Sequence, residues 1–239
     1  MRILREHRLV TAHHNRGETA GNDLCVLCGA TGPFRRIAGP MGKGYRLCSE
    51  CRLIFMEREF LPGPEQEKQR YMAHRNGPDQ PGYLLFLNQA IQPALPHLSE
   101  RMHGLDYGCG PVPTLSVILR SHGLQCHDYD PLFFPEIPTG RFDFIFATEV
   151  LEHLFHPGEE LARIAGLLNP GGIFAAMTEP WTDTDTFLRW SYAQDFTHVC
   201  FYHEDTMAHI RTTHGFELLD HANPRVWVMK KIFSADGTD

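Results

Sequence analysis

From residue 83 onward, stretches with apolar residues at helical spacing alternate with short, nearly continuous apolar runs. Residues 83–101 carry the helical period, interrupted at Pro93 and Pro96. Leu105 opens a run that reads as a buried strand, Gly108 and Gly110 punctuate it, and residues 114–120 resume the helical period. Residues 125–130 read as a second strand ending in an acid, Asp130. Residues 142–147 read as a buried parallel strand, 150–168 as the helix after it with a break at Pro157-Gly158, and 172–178 as the next strand. Residues 203–214 read as a helix, and 216–221 with 225–232 as a closing antiparallel pair that turns at Asn223-Pro224. Strands alternating with helices predict an α/β fold around a largely parallel sheet. One insertion, 180–203, breaks the alternation. It is dense in aromatics, and a helix is predicted around 187–192.

The front of the chain follows other rules. Residues 1–22 are polar, without sustained periodicity, and predict a flexible arm. Residues 23–60 hold Cys25-x-x-Cys28 and Cys48-x-x-Cys51. Two such knuckles can present four thiolates to one Zn²⁺ in a tetrahedron, so the segment reads as a zinc ribbon. It holds too few apolar residues for a core of its own, so the metal is expected to supply folding energy. Four thiolates leave no open position, which predicts a structural ion. Residues 61–80 read as a linker with a polar helix, and 81–239 as the main domain.

Composition narrows the class. With 42% hydrophobic residues among 239, the chain reads as a globular protein. It has no apolar run of membrane-spanning length and no signal-like apolar core at its first residues. Seven cysteines in that context predict a reducing compartment, the cytoplasm. Net charge is −7, unevenly spread. Residues 1–75 hold 13 basic and 8 acidic residues, a net +5; the rest holds 9 and 21, a net −12. An acidic main domain disfavours a broad nucleic-acid footprint.

The strand, glycine turn and helix at 105–120 form half of a βαβ unit. A glycine turn lets a ligand lie across the backbone. Asp130, about twenty residues further on, can accept hydrogen bonds from both hydroxyls of a ribose. Leu105 to Pro111, Asp130-Pro131, the string Phe142 to Leu154 and Leu168-Asn169-Pro170-Gly171-Gly172 resemble the class I S-adenosylmethionine-dependent methyltransferases. The resemblance covers roughly residues 80–232. It implies a Rossmann-like doubly wound sheet and an S-adenosylmethionine site. Asp106, Tyr107, Gly108 and Gly110 would face its methionine part, Asp130 its ribose, and Thr148 and Glu149 its sulfonium. The sequence departs from the family after Asp130. Only eleven residues precede Phe142, too few for the usual helix, third strand and second helix. The sheet is therefore expected to lack that strand, and no residue stands where the family's adenine-contacting acid would be.

Two further clusters carry candidate chemistry. On a helix, Glu149, Glu152 and His153 would share a face. They could bind a divalent cation or position an acceptor, or could serve only the helix dipole. In the insertion, Tyr192, Asp195 and His198 lie where this family places substrate-binding elements. His198 is the candidate general base, with Asp195 to orient it; the alternative is a buried hydrogen-bonding imidazole in an aromatic lid. The reading is a methyltransferase acting on a small-molecule acceptor. The alternatives are an RNA-modifying methyltransferase that grips RNA through the ribbon, and a non-catalytic adaptor with the same fold.

Overall fold

The computed structural model describes residues 24–73, 76–137 and 139–232. The predicted arm, 1–22, lies outside the described residues.

The ribbon comes first. Strands β1 (Arg35–Ala38), β2 (Gly44–Leu47) and β3 (Ile54–Met56) form an antiparallel meander between the cysteine knuckles. Helix α1 (Pro64–Met72) follows, with Pro64 at its first turn, where the missing N–H costs nothing. Helix α2 (Pro81–Ala94) passes into a 3₁₀ turn at Leu95–His97. The main sheet then builds in order: β4 (His103–Tyr107), α3 (Thr114–Ser121), β5 (Gln125–Tyr129) and β6 (Phe142–Thr148). It continues with α4 (Pro157–Leu167) and β7 (Leu168–Met177). After β8 (Cys200–Phe201) and α5 (Glu204–His214) it closes with β9 (Phe216–Asp220) and β10 (Val226–Lys231).

The six-stranded sheet has the order β5-β4-β6-β7-β10-β9. Its first four strands are parallel, and β10 runs antiparallel to both neighbours. Both faces are covered, which is why β6 is apolar nearly throughout. Phe144 and Phe146 join Leu87, Ile91 and Leu119 on the α2–α3 face. Ile145 and Ala147 join Leu161, Ile164 and Ile210 on the α4–α5 face. Among the described residues, 131–137 form a loop pinned by a bridge between Asp130 and Phe134, and β5 is the edge of the sheet. The expected loss of the third strand is what the short connection produces.

Three elements differ from the sequence pattern. Residues 150–168 do not form one helix. A 3₁₀ turn at Leu151–His153 is followed by a break, and α4 starts at Pro157. A proline ring would clash with the carbonyl four residues back, so the helix begins there rather than running through. The insertion holds two 3₁₀ turns, Phe187–Arg189 and Ser191–Gln194, in place of a helix. Its end, β8, pairs with β3, so ribbon and insertion share a four-stranded sheet of order β1-β2-β3-β8. Buried Tyr45 of the ribbon packs edge-on against Phe187 and Phe201 of the insertion. Trp181 donates from its ring N–H to the Arg52 carbonyl at 3.1 Å. The insertion's aromatic surface therefore forms the core that the ribbon lacks alone.

Candidate functional site

The turn after β4 is built by backbone conformation. Gly108 and Gly110 sit at φ +80° and +67°. A Cβ on Gly108 would also come within 2.5 Å of a Val150 methyl, so glycine is required there on two counts. The Gly108 and Cys109 amides both donate to the Tyr129 carbonyl, at 2.7 and 3.0 Å, which ties the turn to the end of β5. Asp130 follows at once. One carboxylate oxygen accepts from the Gly110 amide at 3.1 Å, and the other from the Leu132 and Phe133 amides at 2.8 and 3.2 Å. Its carboxylate is thus fixed before any ligand arrives.

These groups open on a cleft of about 1250 Å³ at the carboxyl ends of the parallel strands. That is where open α/β sheets place ligands. Tyr107, Gly108, Gly110, Asp130, Thr148 and Glu149 all line it, as do Tyr192, Asp195 and His198 of the insertion. Asp106 does not. It is 2% exposed and turned behind the glycine turn, where the Ser116 amide faces it. Burial pushes its carboxyl up to about 8, and the Asp128 charge adds to the rise.

At the other end of the cleft lies an acidic and aromatic corner. Glu149 has a left-handed φ of +53°, which turns it out of the β6 line, and its amide donates to the Met177 carbonyl at 2.8 Å. Glu152 is wholly buried on the 3₁₀ turn. Glu149, Glu152 and His153 do not share a helix face, because no helix runs through them. Burial raises both carboxyls, and the Glu149 charge raises Glu152 further, while Arg225 opposes the rise at Glu149. Burial likewise raises the Tyr192 hydroxyl well above its ordinary value. That hydroxyl lies 3.2 Å from the Thr178 hydroxyl.

His198 is held by its Nδ1, 2.7 Å from the Tyr192 carbonyl. A carbonyl can only accept, so Nδ1 carries the proton and Nε2 is the basic atom. Asp195 accepts from Arg70 at 2.6 and 2.9 Å and from the Thr197 amide and hydroxyl. Burial alone would raise the Asp195 carboxyl, but Arg70 and Thr197 outweigh it and hold it below the usual carboxylate range; His198 lies close enough to add to this.

Sequence reasoning missed the roof. Glu67, Arg70 and Tyr71 of α1 line the cleft, and the Arg70–Asp195 pair clamps that helix onto the insertion. The two residues are 125 positions apart, and no local pattern announces such a pair.

The four ribbon cysteines meet at one point. Their sulfurs all lie within 4.8 Å of one another, with Cys25–Cys51 and Cys28–Cys48 both at 3.6 Å. A tetrahedron with Zn–S bonds of about 2.3 Å has edges of about 3.8 Å, so the set fits a structural Zn²⁺. Among the described residues no helix is long and apolar enough to cross a membrane.

A family described as a methyltransferase domain matches residues 79–221. Ubiquinone biosynthesis O-methyltransferases of two Rhodopseudomonas palustris strains are 31% identical to the chain over 102 residues, or 33% of this chain. The chain spans 40% of the length of these curated relatives. Magnesium protoporphyrin IX methyltransferase from Synechocystis PCC 6803, solved with bound SAM, has 14% identity and a TM-score of 0.47 over 73% of this chain and 94% of that one. A SAM-dependent methyltransferase from Methanosarcina mazei has 16% identity and a TM-score of 0.44 over 59% and 97%.

Proposed function

The chain belongs to the methyltransferase-domain family, and we propose that it transfers a methyl group from S-adenosylmethionine to a hydroxyl of a small molecule. One observation carries this reading. A single cleft joins the glycine turn and fixed Asp130 to the Glu149–Tyr192–His198 corner. S-adenosylmethionine, when bound, supplies an activated methyl group on a sulfonium.

The chain's own groups divide the remaining work. The Gly108–Gly110 backbone can lie against the amino-acid end, and Asp130 can accept from ribose hydroxyls. Leu132 and Pro135 offer apolar surface on the same wall. Thr148 and Glu149 suit a cationic centre by their oxygens. The acceptor then lies under the insertion, where Tyr192 and His198 can hold its hydroxyl. His198 Nε2 is the proton acceptor, and Asp195 favours the imidazolium through its charge. Because α1 and the insertion close over the cleft, orientation rather than new chemistry supplies much of the rate. The relative named for O-methylation supports a hydroxyl acceptor. The net −12 outside the first 75 residues does not suit a polyanion. The ribbon would hold Zn²⁺ for structure only.

The test has two stages. Calorimetry should detect S-adenosylmethionine binding that weakens by about 1.5–3 kcal/mol in Asp130→Ala. Methyl-labelled cofactor should then label a pool of phenols and other hydroxylated small molecules. Label in RNA instead would favour an RNA-modifying enzyme, and cofactor binding without any transfer would favour an adaptor. Absence of cofactor binding overturns the proposal.

A further inference from the structure

The charges around the cleft do not balance. Among the described residues that line it stand seven carboxylates and three guanidiniums, with no lysine. S-adenosylmethionine sets a sulfonium and an ammonium against one carboxylate, so it would offset only part of that excess. A concave site lined by one sign of charge focuses the field and gathers ligands of the other sign.

On the acceptor side, most of the carboxylates are already answered. Arg70 donates twice to Asp195. Arg225 donates to Glu179, whose other oxygen accepts from the Trp190 ring N–H at 2.8 Å. Arg225 also tempers Glu149. Glu67, on the roof helix α1, has no such answer. Among the described residues it pairs with no cation, and the bond it accepts is a long one, 3.4 Å from the Tyr71 hydroxyl. Burial lifts its carboxyl to about 7, because a negative charge is taken from water with no positive one in exchange.

Glu67 and His198 share a wall. The Tyr71 ring meets His153 edge-on with centroids 5.3 Å apart, and His153 meets His198 at 4.7 Å. All four side chains line the cleft. An acceptor whose hydroxyl lies at His198 therefore runs past the His153 and Tyr71 rings, and its far end comes toward Glu67. Aromatic faces line this path too. Tyr83 and Phe86 of α2 stack at 6.3 Å, and Tyr192 stands 4.3 Å from the His198 ring. Such faces attract cations. An anion in the same place would have to draw Arg70 or Arg225 away from its carboxylate.

We propose that the methyl acceptor is a phenol carrying an alkylammonium group, and that Glu67 selects it by pairing with that ammonium. The acceptor's role, though not the preference for a cation, rests on the methyl-transfer reading. The ammonium supplies the positive charge that Glu67 lacks, and the aromatic wall receives the ring between the two polar ends.

The experiment uses the full chain at pH 8, with S-adenosylhomocysteine added so that no transfer occurs. Calorimetry compares tyramine, tyrosol and 4-hydroxyphenylacetate, which share a phenol and differ in the charge at the far end. Tyramine should bind about tenfold or more tighter than tyrosol, the scale of a hydrogen bond to a charged group. The carboxylate should bind weakest, and added salt should narrow the gaps. Glu67→Gln should remove most of tyramine's advantage and leave S-adenosylhomocysteine affinity unchanged; Glu67→Asp, which keeps the charge, should keep the order. Equal or reversed binding of the three overturns the acceptor class, and so does binding of none. An advantage that Glu67→Gln leaves intact overturns the assignment of Glu67. If that variant fails to fold, the wild-type order decides the class and Glu67→Asp the residue: loss of the order there overturns it. Protein that binds S-adenosylhomocysteine without the charge preference leaves the methyl-transfer reading standing. Protein that prefers tyramine but takes no S-adenosylhomocysteine or S-adenosylmethionine does the reverse.

Discussion

Substituting Gly108 by Ala tests whether the cofactor turn is dictated by backbone conformation and by Val150 together. At φ +80°, an L residue costs about 1–2 kcal/mol relative to glycine. The new methyl would also sit 2.5 Å and 3.0 Å from the two Val150 methyls, well inside contact distance. Val150 is 9% exposed and cannot swing into solvent, so relief requires a shift of buried structure, about 1–3 kcal/mol. Gly108→Ala should therefore lose about 2–5 kcal/mol in urea denaturation of the metal-loaded protein. The two contributions separate in a double-mutant cycle. Val150→Ala removes the clash but leaves the φ cost, so the double variant should be more stable than the sum of the single losses by about 1–3 kcal/mol. S-adenosylmethionine affinity, read by calorimetry, should recover only in part, because the amides of Gly108 and Cys109 still leave their place against Tyr129. Losses that add to within about 0.5 kcal/mol would refute the steric half of the argument. A loss below about 0.5 kcal/mol for Gly108→Ala itself would refute both halves.

Three more outcomes follow from the same geometry. Strong chelation should remove Zn²⁺ and unfold the ribbon; because β3 bonds to β8, hydrogen exchange should accelerate at 199–201 as well as at 25–56 while β4, β6 and β7 stay protected, and protection at 199–201 in zinc-free protein would contradict the shared sheet. Asp106 has its carboxyl raised by burial to about 8 from 3.8, so the folded state favours the protonated form: its own contribution to stability is fullest below about pH 4 and falls by about 1.4 kcal/mol per pH unit up to about pH 8. Asp106→Asn should make the slope of urea unfolding stability, measured at pH 5, 6.5 and 8, shallower by about that amount, the raised Glu67, Glu149 and Glu152 carboxyls keeping the rest, and an unchanged slope would count against the assignment. Phe201→Ala should cost about 3–5 kcal/mol in the same assay, since its ring is fully buried against Tyr45, Phe187 and Trp190; a loss under about 1 kcal/mol would mean that ribbon and insertion do not share a core.

Much of this fold was legible along the chain because the information is local. Apolar periodicity marks β6 and α3 wherever they end up, since each must bury a face set by its own repeat. Gly108 and Gly110 declare a left-handed turn, and Asp130 declares the acid beside it. Eleven residues between Asp130 and Phe142 rule out another strand by length alone. The paired cysteine spacing brings four sulfurs together through two local knuckles.

What the tertiary structure decided depends on pairs that no local pattern contains. Asp106 has the spacing of a cofactor contact, yet the packing of α3 on β4 holds it behind the turn. Glu149, Glu152 and His153 have helical spacing, but Pro157 starts α4 late and φ at Glu149 is left-handed, so no α-helix carries the three on one face. The 3₁₀ turn at Leu151–His153 meets the insertion where the Val199 amide, forty-seven positions later, donates to the Glu152 carbonyl. Arg70 roofs the cleft only because Asp195 is there to hold it. Local sequence fixes the period of an element and the sign of φ in a turn. Which buried polar groups then meet is set by how the elements stack, when chain segments distant in sequence desolvate one another's charges.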